Sequence, residues 1–182
     1  MKLNTTEQRF ILHWGEMGTR WGINRTVAQV HALLFLSPVP LHAEEIATTL
    51  SVARSNVSTS LRELQGWGIV HAIHQLGDRR DHFESVKDVW EIFRIVAEER
   101  KRREIAPTLS VIQQCVTELR KADAEATYTR QRLEEMLEFL TMTSSLFEEF
   151  VRMPAQSLKN VYRLHGKLTK LLGVSKKYKE RN

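Results

Sequence analysis

The sequence has little cysteine and no long apolar run. Its 182 residues include one cysteine, Cys115, so the chain cannot form an internal disulfide and needs no oxidising compartment. No apolar run approaches the roughly 20 residues that a membrane-spanning helix requires. The first ten residues also lack the apolar core of a secretory signal. We therefore expect a cytoplasmic protein with no membrane partner.

The chain also lacks the short motifs that carry catalysis or nucleotide binding. It has no phosphate-binding glycine loop, no nucleophile elbow and no metalloprotease helix. Three histidines, His71, His74 and His82, would lie on neighbouring strands, but no cysteine is near them and surface hairpins commonly carry histidine. We expect no enzyme activity, no metal and no cofactor.

The excess of basic residues lies near the C-terminus, not in the segment whose residue pattern is most informative about function. The formal net charge is +5, and residues 159–182 alone hold eight basic residues and one acidic residue, or +7. Residues 51–87 hold five basic and four acidic residues, or +1. Any argument for nucleic-acid binding must therefore rest on residue pattern rather than on net charge.

Residues 41–67 carry the pattern of two short helices joined by a tight turn at residues 51–53. The inward positions recur at helical spacing: Ile46, Ala47 and Leu50 in the first helix, then Val57, Leu61 and Leu64 in the second, which spans about residues 54–67. Ala47 is small at the point where the two helices would cross closely. A steep crossing over a small residue and a short turn is what a helix-turn-helix requires.

The outward face of the second helix is unusual for a surface helix. It presents short polar side chains and two arginines, at Arg54, Ser55, Asn56, Ser58, Thr59 and Arg62. A helix that faced only water would favour Glu, Lys and Gln, which are better helix formers. Short polar side chains let a helix approach base edges, and arginine reaches guanine or phosphate. We expect these six residues to contact double-stranded DNA.

A β-hairpin is predicted directly after this helix, over about residues 69–86. Two short apolar runs, residues 69–73 and 83–86, flank the charged turn LGDRRD. Arg79 and Arg80 would stand at its tip, where they can contact phosphate or enter a minor groove. Helix, turn, helix and two-stranded wing in this order favour DNA binding. The alternative is a helical segment and a hairpin that bind no DNA.

Helices are predicted on both sides of this region. Asn4 or Thr5 can cap the first helix, and a second runs over about residues 26–36. Asp88 can cap the helix that follows the wing, and Pro107 can begin another. Three apolar stripes follow: Leu109, Ile112, Val116 and Leu119; then Leu133, Met136, Leu137, Leu140, Phe147 and Phe150; then Leu158, Val161, Leu164, Leu168 and Leu171.

These stripes predict a homodimer, because the helix-turn-helix is too small to cover them all. A two-fold dimer would set two recognition helices about 34 Å apart and read a near-palindrome. A monomeric helical bundle is the alternative. We divide the chain into residues 1–104, a winged helix-turn-helix domain with N-terminal helices, and residues 105–182, a C-terminal helical dimerisation region.

Aromatic residues suggest a candidate effector pocket. The residues concerned are Trp14, Trp21, Trp90 and Phe93. Aromatic walls suit cationic or apolar ligands, and core packing explains the same residues equally well. Cys115 lies on an apolar stripe, and we interpret it as a small core residue rather than a redox sensor.

Over roughly residues 10–110 the sequence resembles the GbsR-type branch of the MarR-like transcriptional regulators. The segments that carry the resemblance are RWG with the following R-T, SNVS, LRELQGWGIV, GDRRDHFE and DVWEIF. The resemblance implies a winged-helix dimer that binds operator DNA, often responds to a small molecule, and catalyses nothing. Relatives tend to have serine where this chain has Ala53, and alanine is typically worth about 1 kcal/mol less than serine as a helix cap.

The sequence therefore predicts a mostly α-helical winged helix-turn-helix protein with a two-stranded wing and a flanking helical dimerisation region. Its predicted function is that of a DNA-binding transcriptional regulator, a repressor that reads a near-palindromic operator as a dimer and responds to an effector. The alternative is a winged-helix module used only for protein–protein assembly. The polar face of residues 54–62 argues against that alternative, because an assembly face would be more apolar.

Overall fold

The computed structural model describes residues 2–121, 127–154, 156–157, 160 and 163–164. The chain forms two compact units, Met1–Glu99 and Arg100–Asn182. No helix among the described residues is long and apolar enough to cross a membrane. Most of the third predicted apolar stripe, namely Leu158, Val161, Leu168 and Leu171, lies outside the described residues.

The first unit combines helices with one small sheet. Its elements, in chain order, are α1 (Thr5–Arg20), α2 (Arg25–Leu36), β1 (Leu41–His42), α3 (Ala43–Leu50), α4 (Arg54–Trp67), β2 (Val70–Ile73), β3 (His82–Ser85) and α5 (Val89–Arg100). The strands form an antiparallel sheet in the order β1-β3-β2, with Leu41 opposite Phe83 and Val70 opposite Ser85. The prediction of a mostly helical winged helix-turn-helix is thus confirmed.

Side chains define where several of these helices begin. Asn4, rather than Thr5, caps α1: its side chain accepts from the Glu7 N–H, and the Glu7 carboxylate accepts from the Asn4 N–H. Asp88 caps α5 by accepting from the N–H groups of Trp90 and Glu91 at 2.7 and 3.1 Å. Ala53 stands at the start of α4 without a side-chain cap, as expected of alanine, yet α4 still begins at Arg54.

Two glycines bring α1 and α2 into close contact. A Cβ added at Gly18 would lie 2.5 Å from the Ala28 Cβ, and one added at Gly15 would lie 2.7 Å from the Gln29 Cγ. Cβ atoms do not approach other heavy atoms this closely, so only glycine permits the observed packing at these two positions. The close contact accounts for two glycines inside a helix, where each costs about 1 kcal/mol relative to alanine.

The core of the first unit lies between α2, α3, α4 and the sheet. Its most buried large side chains are Val30, Leu33, Leu34, Ile46, Val57, Leu64, Ile69 and Val70. Lys87 caps the C-terminal end of α2 by donating to the carbonyl oxygens of Leu34, Phe35 and Ser37 at 2.6–3.0 Å. Partial burial lowers the pKa of the Lys87 ammonium.

One nitrogen of a buried polar side chain in this core has no hydrogen-bond partner among the described residues. His31 on α2 is 8% exposed, and its Nε2 makes no hydrogen bond with any described residue. Burial, assisted by the nearby Lys87 charge, lowers the pKa of His31 to about 4. The imidazole is therefore neutral near pH 7.

The second unit contains two long helices. A π-helix (Lys101–Ile105) leads into α6 (Ala106–Lys121), and α7 (Thr127–Arg152) follows. Pro107 lies in the first turn of α6, but helical backbone already runs through Lys101–Ile105 into Ala106, so the prediction that Pro107 begins a separate helix is wrong. Arg120 pairs with Glu134 and Lys101 with Glu148, so α6 and α7 run antiparallel. Ile112 and Val116 are buried on α6.

Candidate nucleic-acid interface

The helix-turn-helix is formed by α3, a three-residue turn and α4. Ser51 ends α3 in the left-handed conformation, with φ of 55°, and this reverses the chain within one residue. The Val52 N–H bonds to the Ala47 carbonyl oxygen at 3.1 Å. Ala47 is itself buried, as expected of the small residue predicted at the crossing of the two helices.

The two faces of α4 divide as the periodicity predicted. Val57, Leu61 and Leu64 are buried in the core. The outward residues are exposed at Arg54, Ser55, Asn56, Thr59 and Arg62, and half-buried at Ser58. The helix therefore presents an uninterrupted polar face to solvent across its first three turns.

Both arginines on this face make weak local contacts. The Arg54 Nε lies 3.6 Å from the Glu44 carboxylate, and both side chains are more than half exposed. Arg62 reaches back along α4 to the Ser58 carbonyl oxygen and the Thr59 hydroxyl, each at 3.4 Å. Exposed ion pairs and long hydrogen bonds of this kind contribute little to stability. Both guanidinium groups can therefore turn toward a ligand at small cost.

The wing is the hairpin of β2 and β3 with the loop of residues 74–81. Gly68 ends α4 with φ of 81° and turns the chain into β2. The Asp78 N–H bonds to the Gln75 carbonyl oxygen at 3.1 Å, and Gly77 between them has φ of 86°. A tight turn therefore forms the tip of the wing, as the charged segment predicted.

The two wing arginines occupy different environments. The Arg80 guanidinium donates to the Asp78 carboxylate and to the His42 ring, whose Nε2 lies 2.8 Å from Nη1. The hydrogen bonds from Arg80 hold the pKa of the Asp78 carboxyl well below its usual range. Arg79 is exposed and makes no hydrogen bond or ion pair within the described part of the chain. Of the pair, Arg79 is the unengaged cation.

A groove separates α4 from the wing. It has a volume of about 550 Å³, and its lining includes Arg54, Ser58 and Arg62 from α4 and Arg80 from the wing. Glu44 and Asp81 also line it, so the groove is not uniformly basic. Four of the eight predicted DNA-contact residues thus meet around one groove.

The predicted aromatic residues are only partly brought together. The Trp14 and Trp21 rings meet edge to face at 5.8 Å, and Phe10 stacks on Trp14 at 5.5 Å. Trp90 and Phe93 lie on α5. The effector pocket stays a prediction. No three His, Cys, Asp or Glu side chains among the described residues are arranged to hold a metal ion.

Sequence reasoning missed the role of His42. This residue pairs with His82 in the sheet, its Nδ1 lies 3.3 Å from the Glu45 backbone nitrogen at the start of α3, and its Nε2 lies 2.8 Å from Arg80. The only sequence signal is its place three residues before Glu45, the spacing of a capping box. Histidine is not among the usual capping residues, so the spacing of His42 and Glu45 does not by itself predict a capping box.

Comparisons with known proteins agree with the interpretation of this region as a winged helix-turn-helix. Residues 21–81 match the sequence profile of the MarR family, which is 61 of 182 residues and includes the helix-turn-helix and most of the wing. A solved structure of a transcriptional regulator is similar in fold, with a TM-score of 0.62 and 20% sequence identity, over 80% of this chain and 95% of that one. Neither similarity is to an enzyme. No curated protein sequence matches the chain.

Proposed function

We propose that this protein is a DNA-binding transcriptional regulator that places α4 in the major groove and the wing against the adjacent backbone. The observation that carries the proposal is the polar face of α4, whose six predicted contact residues are all wholly or partly exposed beside the wing. The MarR-family match over residues 21–81 supports the same conclusion.

The six residues on α4 differ in side-chain length, and we assign them different DNA contacts accordingly. Asn56 and Thr59 are short and exposed, and we assign them to base edges, where an amide reads adenine, and a threonine hydrogen-bonds through its own hydroxyl or packs its methyl against a thymine methyl. Arg54 and Arg62 reach further, to guanine or phosphate. Ser55 and Ser58 flank them as phosphate ligands. Arg79 extends the backbone contacts from the wing.

A homodimer forms part of the proposal. One row on α7 exposes large apolar side chains, each more than half accessible: Met136, Phe139, Met142 and Leu146. They recur at spacings of three, three and four, so they share one face of the helix. The predicted stripe shares Met136 with this row and also includes Phe147 and Phe150, which are exposed, whereas its members Leu133, Leu137 and Leu140 are half-buried. A second copy of the chain would cover the exposed row and set two α4 helices on one near-palindromic site.

Phe139→Lys tests this interface against Ser145→Lys, which adds the same charge to an exposed polar position of α7. We expect sedimentation equilibrium to give a dimer for the parent and Ser145→Lys, and a larger dissociation constant for Phe139→Lys. A parent mass equal to the 21.2 kDa of one chain would refute the dimer.

The GbsR-type branch and the response to a small-molecule effector rest on the sequence resemblance. Repression rather than activation, cytoplasmic location, and the assignment of Trp14, Trp21, Trp90 and Phe93 to the effector are further proposals. The Trp14–Trp21 contact supports an aromatic wall on one side of that pocket.

Selection of genomic fragments with the purified protein tests the proposal as a whole. We expect enrichment of a duplex that contains two related half-sites one helical turn apart. A protein–protein assembly module would enrich no sequence, and its binding to any duplex would not discriminate. Recovery of random fragments only would therefore favour the assembly alternative.

A further inference from the structure

We propose that His42 is a positioning residue for the wing, which it holds against the start of α3 through Arg80. The contact between His42 and Arg80 is a property of the free protein, and only its effect on DNA affinity rests on the proposed function.

Two contacts join the wing to His42, and two more within the wing position the groups that make them. The Arg80 Nη1 lies 2.8 Å from the His42 Nε2, and the same guanidinium is held by Asp78. The His82 ring packs perpendicular to the His42 ring at 5.5 Å, and its Nδ1 lies 3.1 Å from the Arg80 carbonyl oxygen. The His42 side chain is only 12% exposed, so water competes poorly for its contact with Arg80.

Counting protons shows that His42 cannot serve both of its neighbours at once. Its Nδ1 lies 3.3 Å from the Glu45 backbone nitrogen, and its Nε2 lies 2.8 Å from Arg80. Both neighbours are donors, and a guanidinium cannot accept. A neutral imidazole has one accepting nitrogen, so one tautomer caps α3 and the other holds Arg80. The shorter separation favours the tautomer that holds Arg80.

Two amide variants separate the two roles of His42. An asparagine amide reaches the place of Nδ1, so His42→Asn can cap α3 but loses Arg80. A glutamine amide reaches the place of Nε2, so His42→Gln keeps an acceptor for Arg80 and, like the favoured tautomer of the parent, makes no cap. Hydrogen–deuterium exchange of the wing amides, residues 75–82, in the full chain without DNA reports the contact between His42 and Arg80 directly. The amides of α2 serve as the internal control for folding.

At pH 7.5 we expect wing exchange about threefold to tenfold faster in His42→Asn than in the parent, the effect of losing one hydrogen bond. We expect His42→Gln to match the parent in the wing and to lose no stability at the α3 cap, because the tautomer that holds Arg80 does not make that cap. In Arg80→Gln, adding His42→Asn should change wing exchange no further.

Unchanged wing exchange in His42→Asn, or equal changes in the two variants, would overturn the proposal. With the enriched duplex, His42→Asn should lose affinity and His42→Gln should retain it. If the parent binds no DNA but wing exchange still differs between the two variants, the exchange result supports the contact between His42 and Arg80. The absence of DNA binding then refutes the proposed function instead.

Discussion

Replacing Arg79 with alanine removes the one wing arginine that the structure leaves unengaged. Arg80 is already held by Asp78 and His42, whereas Arg79 is exposed and unpaired among the described residues. A phosphate contact made by Arg79 would therefore cost no existing interaction. We expect Arg79→Ala to weaken binding to every duplex sequence and to leave the folded protein as stable as the parent.

The size of the effect follows from counterion release. Each phosphate contact contributes about 0.9 to the slope of log affinity against log salt concentration, so a dimer with two wings would lose about 1.8. Over a fourfold rise in salt, that difference amounts to about tenfold in affinity. The affinity of the parent should thus fall about tenfold further than that of the variant between roughly 50 and 200 mM salt.

Fluorescence anisotropy with one labelled duplex at four salt concentrations measures both slopes. Arg9→Ala is the matched control, because it removes the same charge from an exposed position on α1. Arg80→Ala should differ from both by lowering the melting temperature, since it leaves Asp78 and His42 without their partner. An unchanged slope for Arg79→Ala, or equal slopes for Arg79→Ala and Arg9→Ala, would show that the wing tip does not contact the backbone.

Two further predictions concern stability. Because burial lowers the pKa of His31 from 6.5 to about 4, the unfolded chain binds a proton in that window and the folded chain does not. Acidification to pH 5 should therefore cost about 2 kcal/mol of unfolding free energy that His31→Leu does not lose, and urea titrations at pH 7.5 and 5 check this; equal losses would contradict it. Gly18→Ala should destabilise by about 1–3 kcal/mol through contact with Ala28. Gly66→Ala, where nothing lies within 4 Å of the added Cβ, should stabilise by up to about 1 kcal/mol, and a shared sign for the two glycine variants would contradict the packing argument.

The helices of the interface were predictable because their signals are local. Val57, Leu61 and Leu64 recur at helical spacing, and the structure buries all three. The turn chemistry of the wing is equally local, since Gly77 and the charges around it lie within six residues. Such features need no knowledge of the rest of the chain.

The features that escaped prediction depend on contacts distant in sequence. The strand β1 has two residues, too few for an alternating pattern to show, and it exists because Leu41 and His42 pair with β3. His42 and Arg80 are 38 residues apart, so nothing local indicates that one holds the other. The predicted stripe on α7 includes Met136 of the exposed row but not Phe139, Met142 or Leu146, because periodicity finds an apolar stripe without showing which side chains α6 covers.

The central claim is that α4 reads base sequence, and competition binding with α4 variants tests it most directly. The parent should prefer the enriched duplex to a scrambled duplex of equal length by at least about a thousandfold at physiological salt. Asn56→Ala and Thr59→Ala should each lose about 1–3 kcal/mol of discrimination at one base pair and keep their discrimination elsewhere. Equal binding of both duplexes by the parent, or unchanged base preferences in both variants, would contradict the account.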